Sequence, residues 1–140
     1  MINFKRTDHI NICVAPRQLE AARAFYANVM GLKPIPRPDH VFDTPGYWFL
    51  IGDIELHIGV EQPVGLTWRH TAFEVDNLAA VRNHLETHGI TISDEPVIEG
   101  RDRFTFLDPF GNRMELLEYN SHPTLPGREG LKKSPQPGEI

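Results

Sequence analysis

Two histidines and two glutamates stand at nearly equal spacings in the chain. Glu55 follows His9 by 46 positions, and Glu115 follows His70 by 45 positions. Imidazole nitrogens and carboxylate oxygens suit divalent ions such as Zn, Ni, Co, Mn and Fe. Such a ligand set leaves about two octahedral positions open for neighbouring oxygens of one substrate. The residue types therefore fit Lewis-acid chemistry in which a glutamate also serves as a base.

Both histidines lie in segments where apolar residues alternate with others. In residues 8–14 the apolar side chains take every second position, and His9 and Asn11 take the other face. Residues 69–75 repeat this pattern around His70. A single histidine in a strand is more often a packed or exposed residue than a ligand. Because a histidine and a glutamate recur at matching places in both halves, the ligand role is favoured here.

Each of these strands precedes an amphipathic helix and three further strands. The helices are predicted to end at Gly31 and Gly89, since glycine readily adopts the left-handed conformation that closes a helix. Two strands then meet at a turn of Gly52 and Asp53 in the first half, and at a turn over residues 108–112 in the second. The order strand, helix and three strands therefore occurs twice.

Several motifs accompany this repeat. They are His9 near the start, AFYANVMGL at residues 24–32, His70 before an apolar strand, and FLDPFGNRMELLE at residues 106–118. With these motifs the chain resembles, over residues 4–120, the vicinal oxygen chelate superfamily of glyoxalases, bleomycin resistance proteins and extradiol dioxygenases.

The resemblance implies an α+β fold. Two βαβββ modules, at about residues 4–62 and 66–120, would form a curved mixed sheet with the helices on its convex side. Residues 1–120 would make a single domain. Residues 121–140 are rich in proline and glycine, a composition that forms no core, and are expected to be a C-terminal tail.

The resemblance also implies a site for one divalent metal ion (Zn, Ni, Co, Mn or Fe). The implied ligands are His9, Glu55, His70 and Glu115. Glu115 or Glu55 would act as the catalytic base. His57 shares a strand face with Glu55 and is an alternative ligand, but its counterpart in the second half is Leu117, which favours Glu55. His57 is then expected to act as a proton carrier, a substrate contact or a partner of a ligand.

Other polar residues are candidates for holding the substrate. Asn11 shares the face of His9 and is expected to line the pocket. Arg101 and Arg103 precede the 108–112 turn and could hold an anionic substrate, with a surface salt bridge as the alternative for either. His84 and His88 lie four positions apart near a helix end, where a solvated face is expected.

Composition limits the partners. A formal net charge of −5 and scattered basic residues argue against nucleic acid and against an acidic membrane surface. One cysteine excludes an intramolecular disulfide, and no apolar run has the length of a signal peptide or membrane span. We expect a cytoplasmic protein with a small-molecule substrate, and the resemblance implies a homodimer.

Three functions are consistent with these observations. The first is a metal-dependent glyoxalase-like lyase or isomerase, because two histidines with two carboxylates resemble the glyoxalase pattern. The second is a non-haem Fe(II) extradiol-type dioxygenase, which would need only His9, His70 and Glu115. The third is a small-molecule binding or antibiotic resistance protein. The thiol-transferring fosfomycin-resistance relatives carry a hydroxyl residue where this chain has Asn11, which counts against that reaction.

Overall fold

A computed structural model describes residues 1–121, and its elements follow the predicted order. The first module consists of β1 (His9–Val14), α1 (Leu19–Ala24), a π-helical continuation (Phe25–Val29), β2 (Lys33–Ile35), β3 (Tyr47–Ile51) and β4 (Ile54–Val60). The second consists of β5 (Thr71–Glu74), α2 (Leu78–Thr87), β6 (Ile92–Asp94), β7 (Arg101–Leu107) and β8 (Arg113–Tyr119). The predicted pair of βαβββ modules is confirmed. The predicted tail lies, except for Ser121, outside the described residues.

Each module forms a four-stranded mixed sheet. The strand orders are β1-β4-β3-β2 and β5-β8-β7-β6, with the first and last strand of each module parallel and the other pairs antiparallel. Parallel neighbours need a long connection, and here the helix and two intervening strands supply it. No helix within residues 1–121 is long and apolar enough to cross a membrane.

The helices cover one face of each sheet and leave the other face open. On the covered side the alternating apolar residues of the strands pack with the helices in one core. Its largest fully buried side chains are Tyr26, Phe49, Phe104, Phe106, Leu56, Ile58, Leu85, Met114 and Val14. The helix ends follow the prediction, since Gly31 and Gly89 have φ of 69° and 79°. The period of two then leaves His9, Glu55 and Glu115 on the open face.

A buried carboxylate joins the two modules. Asp108 is 3% exposed, and its Oδ2 accepts a hydrogen bond of 2.5 Å from the hydroxyl of Tyr26 in the first module. Asn112 donates through Nδ2 both to Asp108 and to the carbonyl of Cys13. Phe25 packs edge-on against Phe110 beside these contacts. The turn that begins β8 is therefore fixed against the first module.

A second contact between the modules involves a histidine that was predicted to be solvated. The ring of His84 is on the surface, but its Nε2 lies 2.7 Å from the carbonyl oxygen of Val29. Only an N–H donates to a carbonyl, so this nitrogen carries the hydrogen. His88 bonds instead to the carbonyl of His84 within its own helix.

Replacing Tyr26 by phenylalanine should destabilise the fold by about 1.5–3 kcal/mol, because a buried hydrogen bond to a charged group is lost. Chemical denaturation at pH 7 measures the change. Tyr47→Phe is a matched control, since its hydroxyl donates to the exposed Glu20, and that loss should cost less than about 1 kcal/mol. Equal losses in the two variants would contradict a special role for the buried bond.

The difference between wild type and Tyr26→Phe should shrink at high pH. Burial, and then the nearby Asp108 charge, raises the pKa of Tyr26 well above its usual range. An unfolded tyrosine loses its proton near pH 10, whereas the folded one keeps it, so above about pH 10 the unfolded state binds fewer protons. The stabilisation is therefore complete below pH 10 and declines as pH rises further. Urea titrations at several pH values measure it, and a constant difference would disprove the linkage.

Candidate metal centre

On the open face of the first module, His9 lies directly opposite Glu55 on the neighbouring strand. His57 is next along the same face of β4, and its Nε2 is 2.7 Å from Oε2 of Glu55. The other side of His9 is engaged by Asp8, whose Oδ2 lies 3.0 Å from His9 Nδ1. This hydrogen bond is the main reason why the pKa of Asp8 is lowered. Three candidate groups of the first module are therefore neighbours.

The ring of His57 is fixed by stacking on both sides. One face lies 4.2 Å from the ring of His9, at 17°, and the other lies 4.0 Å from Trp48, at 3°. Phe42 in turn contacts Trp48 edge-on. Stacked rings resist rotation, so the Nε2 of His57 stays directed at Glu55. This geometry fits the expectation that His57 is a partner of a ligand, here Glu55.

On the second module, His70 and Glu115 face each other. His70 Nε2 is 3.1 Å from Glu115 Oε2, and His70 Nδ1 is 2.8 Å from the carbonyl oxygen of Trp68. The carbonyl accepts, so Nδ1 carries a hydrogen and, in a neutral ring, the lone pair of Nε2 faces the carboxylate. The lone pair of Nε2 and the carboxylate oxygen repel each other, and a cation between the two atoms would remove this repulsion. Ligand atoms about 2.1 Å from one ion, at roughly a right angle, lie about 3 Å apart, so the pair fits a divalent metal.

The second oxygen of Glu115 is held by Arg103. Arg103 Nη1 donates to Glu115 Oε1 at 3.2 Å, and Nη2 donates to the carbonyl of Pro96 at 3.0 Å. From the sequence, Arg103 was expected either to hold an anionic substrate or to form a surface salt bridge, and its alternation with Phe104 already indicated the face of Glu115. Arg101, two residues earlier, donates to the hydroxyl of Tyr119 instead. The two arginines therefore have different environments.

Asn11 and Cys13 line a cleft of about 530 Å³ beside the second half of the site. Asn11 Nδ2 donates to the Cys13 sulfur at 3.4 Å. His70 and Arg113 also line this cleft. Burial, with a contribution from the charge of Glu61, raises the pKa of the Cys13 thiol, so the cysteine stays protonated. Asn11 and His70 therefore line the same cleft.

The four predicted ligands form two pairs that stay apart in one chain. Within the described residues, no three His, Cys, Asp or Glu side chains are close enough to hold one ion. The pairs also differ in register, although their spacings in sequence agree. Ala72, not His70, is paired with Glu115, and His70 precedes β5 and reaches Glu115 diagonally. The repeat therefore preserves the residue types more closely than the strand pairing.

Comparison with known proteins decides the family. A model of the Glyoxalase/Bleomycin resistance protein/Dioxygenase superfamily matches residues 6–116. The chain belongs to this superfamily. A glyoxalase family protein of Bacillus anthracis is 36% identical, and the match covers 85% of this chain and 99% of that one, with a TM-score of 0.76. A curated relative, Glyoxylase I 4 of Arabidopsis thaliana, is 27% identical over 83% of this chain and 73% of its own length.

A more distant structural neighbour contains a metal. Fosfomycin resistance protein FosX of Listeria monocytogenes, as a variant with one glutamate changed to glutamine, was solved with Mn(II) and 1S,2S-dihydroxypropylphosphonic acid. It is 21% identical to this chain, covers 81% of it and 92% of its own length, and has a TM-score of 0.70. At this identity the likeness shows a shared fold.

Glu55→Ala should lower the metal content of the purified protein, because it removes a candidate carboxylate ligand, whereas His57→Ala should leave most of the metal in place. Elemental mass spectrometry at matched protein concentration measures both. His88→Ala is the control, since that imidazole bonds only within its helix. Loss of metal from His57→Ala with retention in Glu55→Ala would reverse the assignment of the two residues.

Proposed function

We propose that this protein is a metal-dependent, glyoxalase-like lyase or isomerase acting on a small substrate with two neighbouring oxygen atoms. The observation that carries the proposal is the facing pair His70 and Glu115, with a second histidine and glutamate, His9 and Glu55, side by side on the other module. When bound, a divalent ion supplies Lewis-acid chemistry at the substrate oxygens. FosX shows that the fold can contain Mn(II) in a relative.

We further propose that two copies of the chain complete each site. One chain supplies the pairs separately, since its described residues contain no group of three ligand-type side chains close enough for one ion. A two-fold symmetric dimer presents the same surfaces on both subunits, so His9 and Glu55 of one copy can meet His70 and Glu115 of the other. The homodimer is then required for metal binding as well as for assembly.

The two glutamates are suited to different tasks. The side chain of Glu115 is 8% exposed and both of its oxygens are engaged, by His70 and Arg103. The side chain of Glu55 is 35% exposed and has His57 as its hydrogen-bond partner. A base must move between the proton it removes and the place where it returns it, which favours the less confined carboxylate. We therefore assign proton transfer to Glu55, with His57 orienting it, and retain Glu115 as a fixed ligand.

The substrate is proposed to be anionic or to become so during the reaction. Asn11 lies in the cleft beside His70, where its side-chain amide can donate a hydrogen bond to the substrate. Arg103 already offsets the charge of Glu115, so a divalent ion held by Glu115 would keep positive charge that attracts an anion. The cleft beside His70, at about 530 Å³, has room for a small molecule.

The first test is the metal content of the wild type, measured by elemental mass spectrometry beside His9→Ala and Glu115→Ala. We expect about one equivalent per chain in wild type and a loss of most of it in both variants, because each removes a ligand. The identity of the metal selects the assay. If the metal is zinc, nickel, cobalt or manganese, the assay is isomerisation of 2-oxoaldehyde adducts of thiols. If it is iron, the assay is oxygen uptake with catechols. Absence of metal after reconstitution would overturn the proposal of a metal-dependent enzyme and would leave small-molecule binding as the function to test.

The shared site is tested with a heterodimer of His9→Ala and Glu115→Ala chains, co-expressed with different tags and purified through both. Each homodimer lacks a ligand in every site. The heterodimer unites one wild-type His9 with one wild-type Glu115 in one of its two sites, so roughly half of the wild-type metal content should return. If each chain builds its own site, both sites of the heterodimer are defective and its metal content stays as low as in the homodimers.

A further inference from the structure

The contact between Arg103 and Glu115 is an ion pair between the two central strands of the second sheet, with little solvent around it. The Arg103 side chain is 16% exposed and the Glu115 side chain 8%. In such surroundings a carboxylate is costly to leave alone, and its orientation is set by the donors that it finds. One oxygen of Glu115 is directed at Arg103 and the other at His70.

We propose that Arg103 is a positioning residue for Glu115, holding Oε1 so that Oε2 faces the metal position beside His70. The inference rests on the proposed metal-dependent function and adds a residue to it. Arg103 is itself fixed, because its second terminal nitrogen donates to the Pro96 carbonyl. Its planar fork joins the loop after β6 to the ligand, and a lysine offers one flexible point of charge in its place.

The residue directly opposite Glu115 on the adjacent strand does not bind its carboxylate, whereas Arg103 does. Thr105 is the residue paired with Glu115 on β7, but its hydroxyl donates to Glu95. Arg103 is paired with Leu117 and reaches Glu115 diagonally across the strands. The orientation of the carboxylate therefore depends on a residue of the adjacent strand, two positions out of direct register.

The first module has no arginine at the corresponding place. Trp48 is paired with His57 as Arg103 is paired with Leu117, so Trp48 takes the position of Arg103 and His57 that of Leu117. Glu55 is consequently held by a histidine of its own strand, and Glu115 by a cation of the next strand. Arg103 is thus the residue that gives the second module its confined carboxylate.

Arg101 provides the matched control. It lies on the same strand and the same side of it as Arg103, and it donates to the Tyr119 hydroxyl instead of a carboxylate. Changing either arginine to methionine removes one positive charge and preserves much of the side-chain volume. A difference between Arg101→Met and Arg103→Met therefore reports on the contact with Glu115 and not on net charge.

The test is the affinity for Co(II), measured by chelator competition, together with the visible absorption spectrum of the bound ion. We expect Arg103→Met to weaken binding by about 10–100-fold and to alter the spectrum, as loss of a partner that orients a ligand does. Arg101→Met should stay within about 2-fold of wild type. Arg103→Lys should recover part of the affinity, because the charge returns without the fork. Wild-type affinity and spectrum in a folded Arg103→Met protein would overturn the proposal, as would equal losses in the two methionine variants.

A metal-free measurement separates this proposal from the proposed function. In the apo protein, Arg103→Met and Glu115→Gln should have non-additive effects on the free energy of unfolding, because each removes the partner of the other. Failure of wild type to bind Co(II) overturns the metal-dependent function. It also overturns the positioning role, even if the two substitutions have non-additive effects on stability. Additive effects overturn the positioning role alone. Should Arg103→Met fail to fold, Arg103→Lys takes its place in both measurements.

Discussion

The satisfaction of one buried carboxylate governs how the modules join. Asp108 is almost completely buried, and an unpaired charge there would cost several kcal/mol. Its oxygens accept from the Tyr26 hydroxyl, from the backbone N–H groups of Phe110 and Asn112, and from the Asn112 amide. The same contacts shape the turn between β7 and β8 and attach it to the first module. Because β8 starts at this turn, the location of Glu115 follows from how Asp108 is paired.

The duplicated scaffold supplies two glutamates with different surroundings. Both stand on the last strand of a module, on the face away from the helices. Glu55 has a stacked histidine beside it and is partly exposed in the single chain, whereas Glu115 is enclosed between His70 and Arg103. The modules differ at two equivalent positions around the glutamate. The first module has His57 and Trp48 where the second has Leu117 and Arg103. The proposed fixed ligand and the proposed base are thus the same residue type in different surroundings.

Periodicity predicted what depends on the local chain, and it missed what depends on strand stagger. Alternation and the glycines at the helix ends predicted both modules, and the face of each strand followed from the period of two. The spacing of His70 from Glu115 did not reveal that Ala72 is the residue paired with Glu115. The link from Arg103 to Glu115 was missed for the same reason, since it crosses strands diagonally. The contact of His84 with Val29 depends on how two helices from different modules meet, which no local pattern encodes.

Charge balance explains why a carboxylate at position 55 suits the proposed site better than a second imidazole. Arg103 neutralises Glu115, so a divalent ion held by His9, His70 and Glu115 alone would leave two uncompensated positive charges in a partly enclosed place. Glu55 reduces this to one. The remaining charge favours an anionic substrate, or one that gains negative charge in the reaction, and it holds that charge most strongly when Glu55 has taken up a proton. Proton transfer to Glu55 would thereby strengthen the attraction between the site and the anion that the transfer creates.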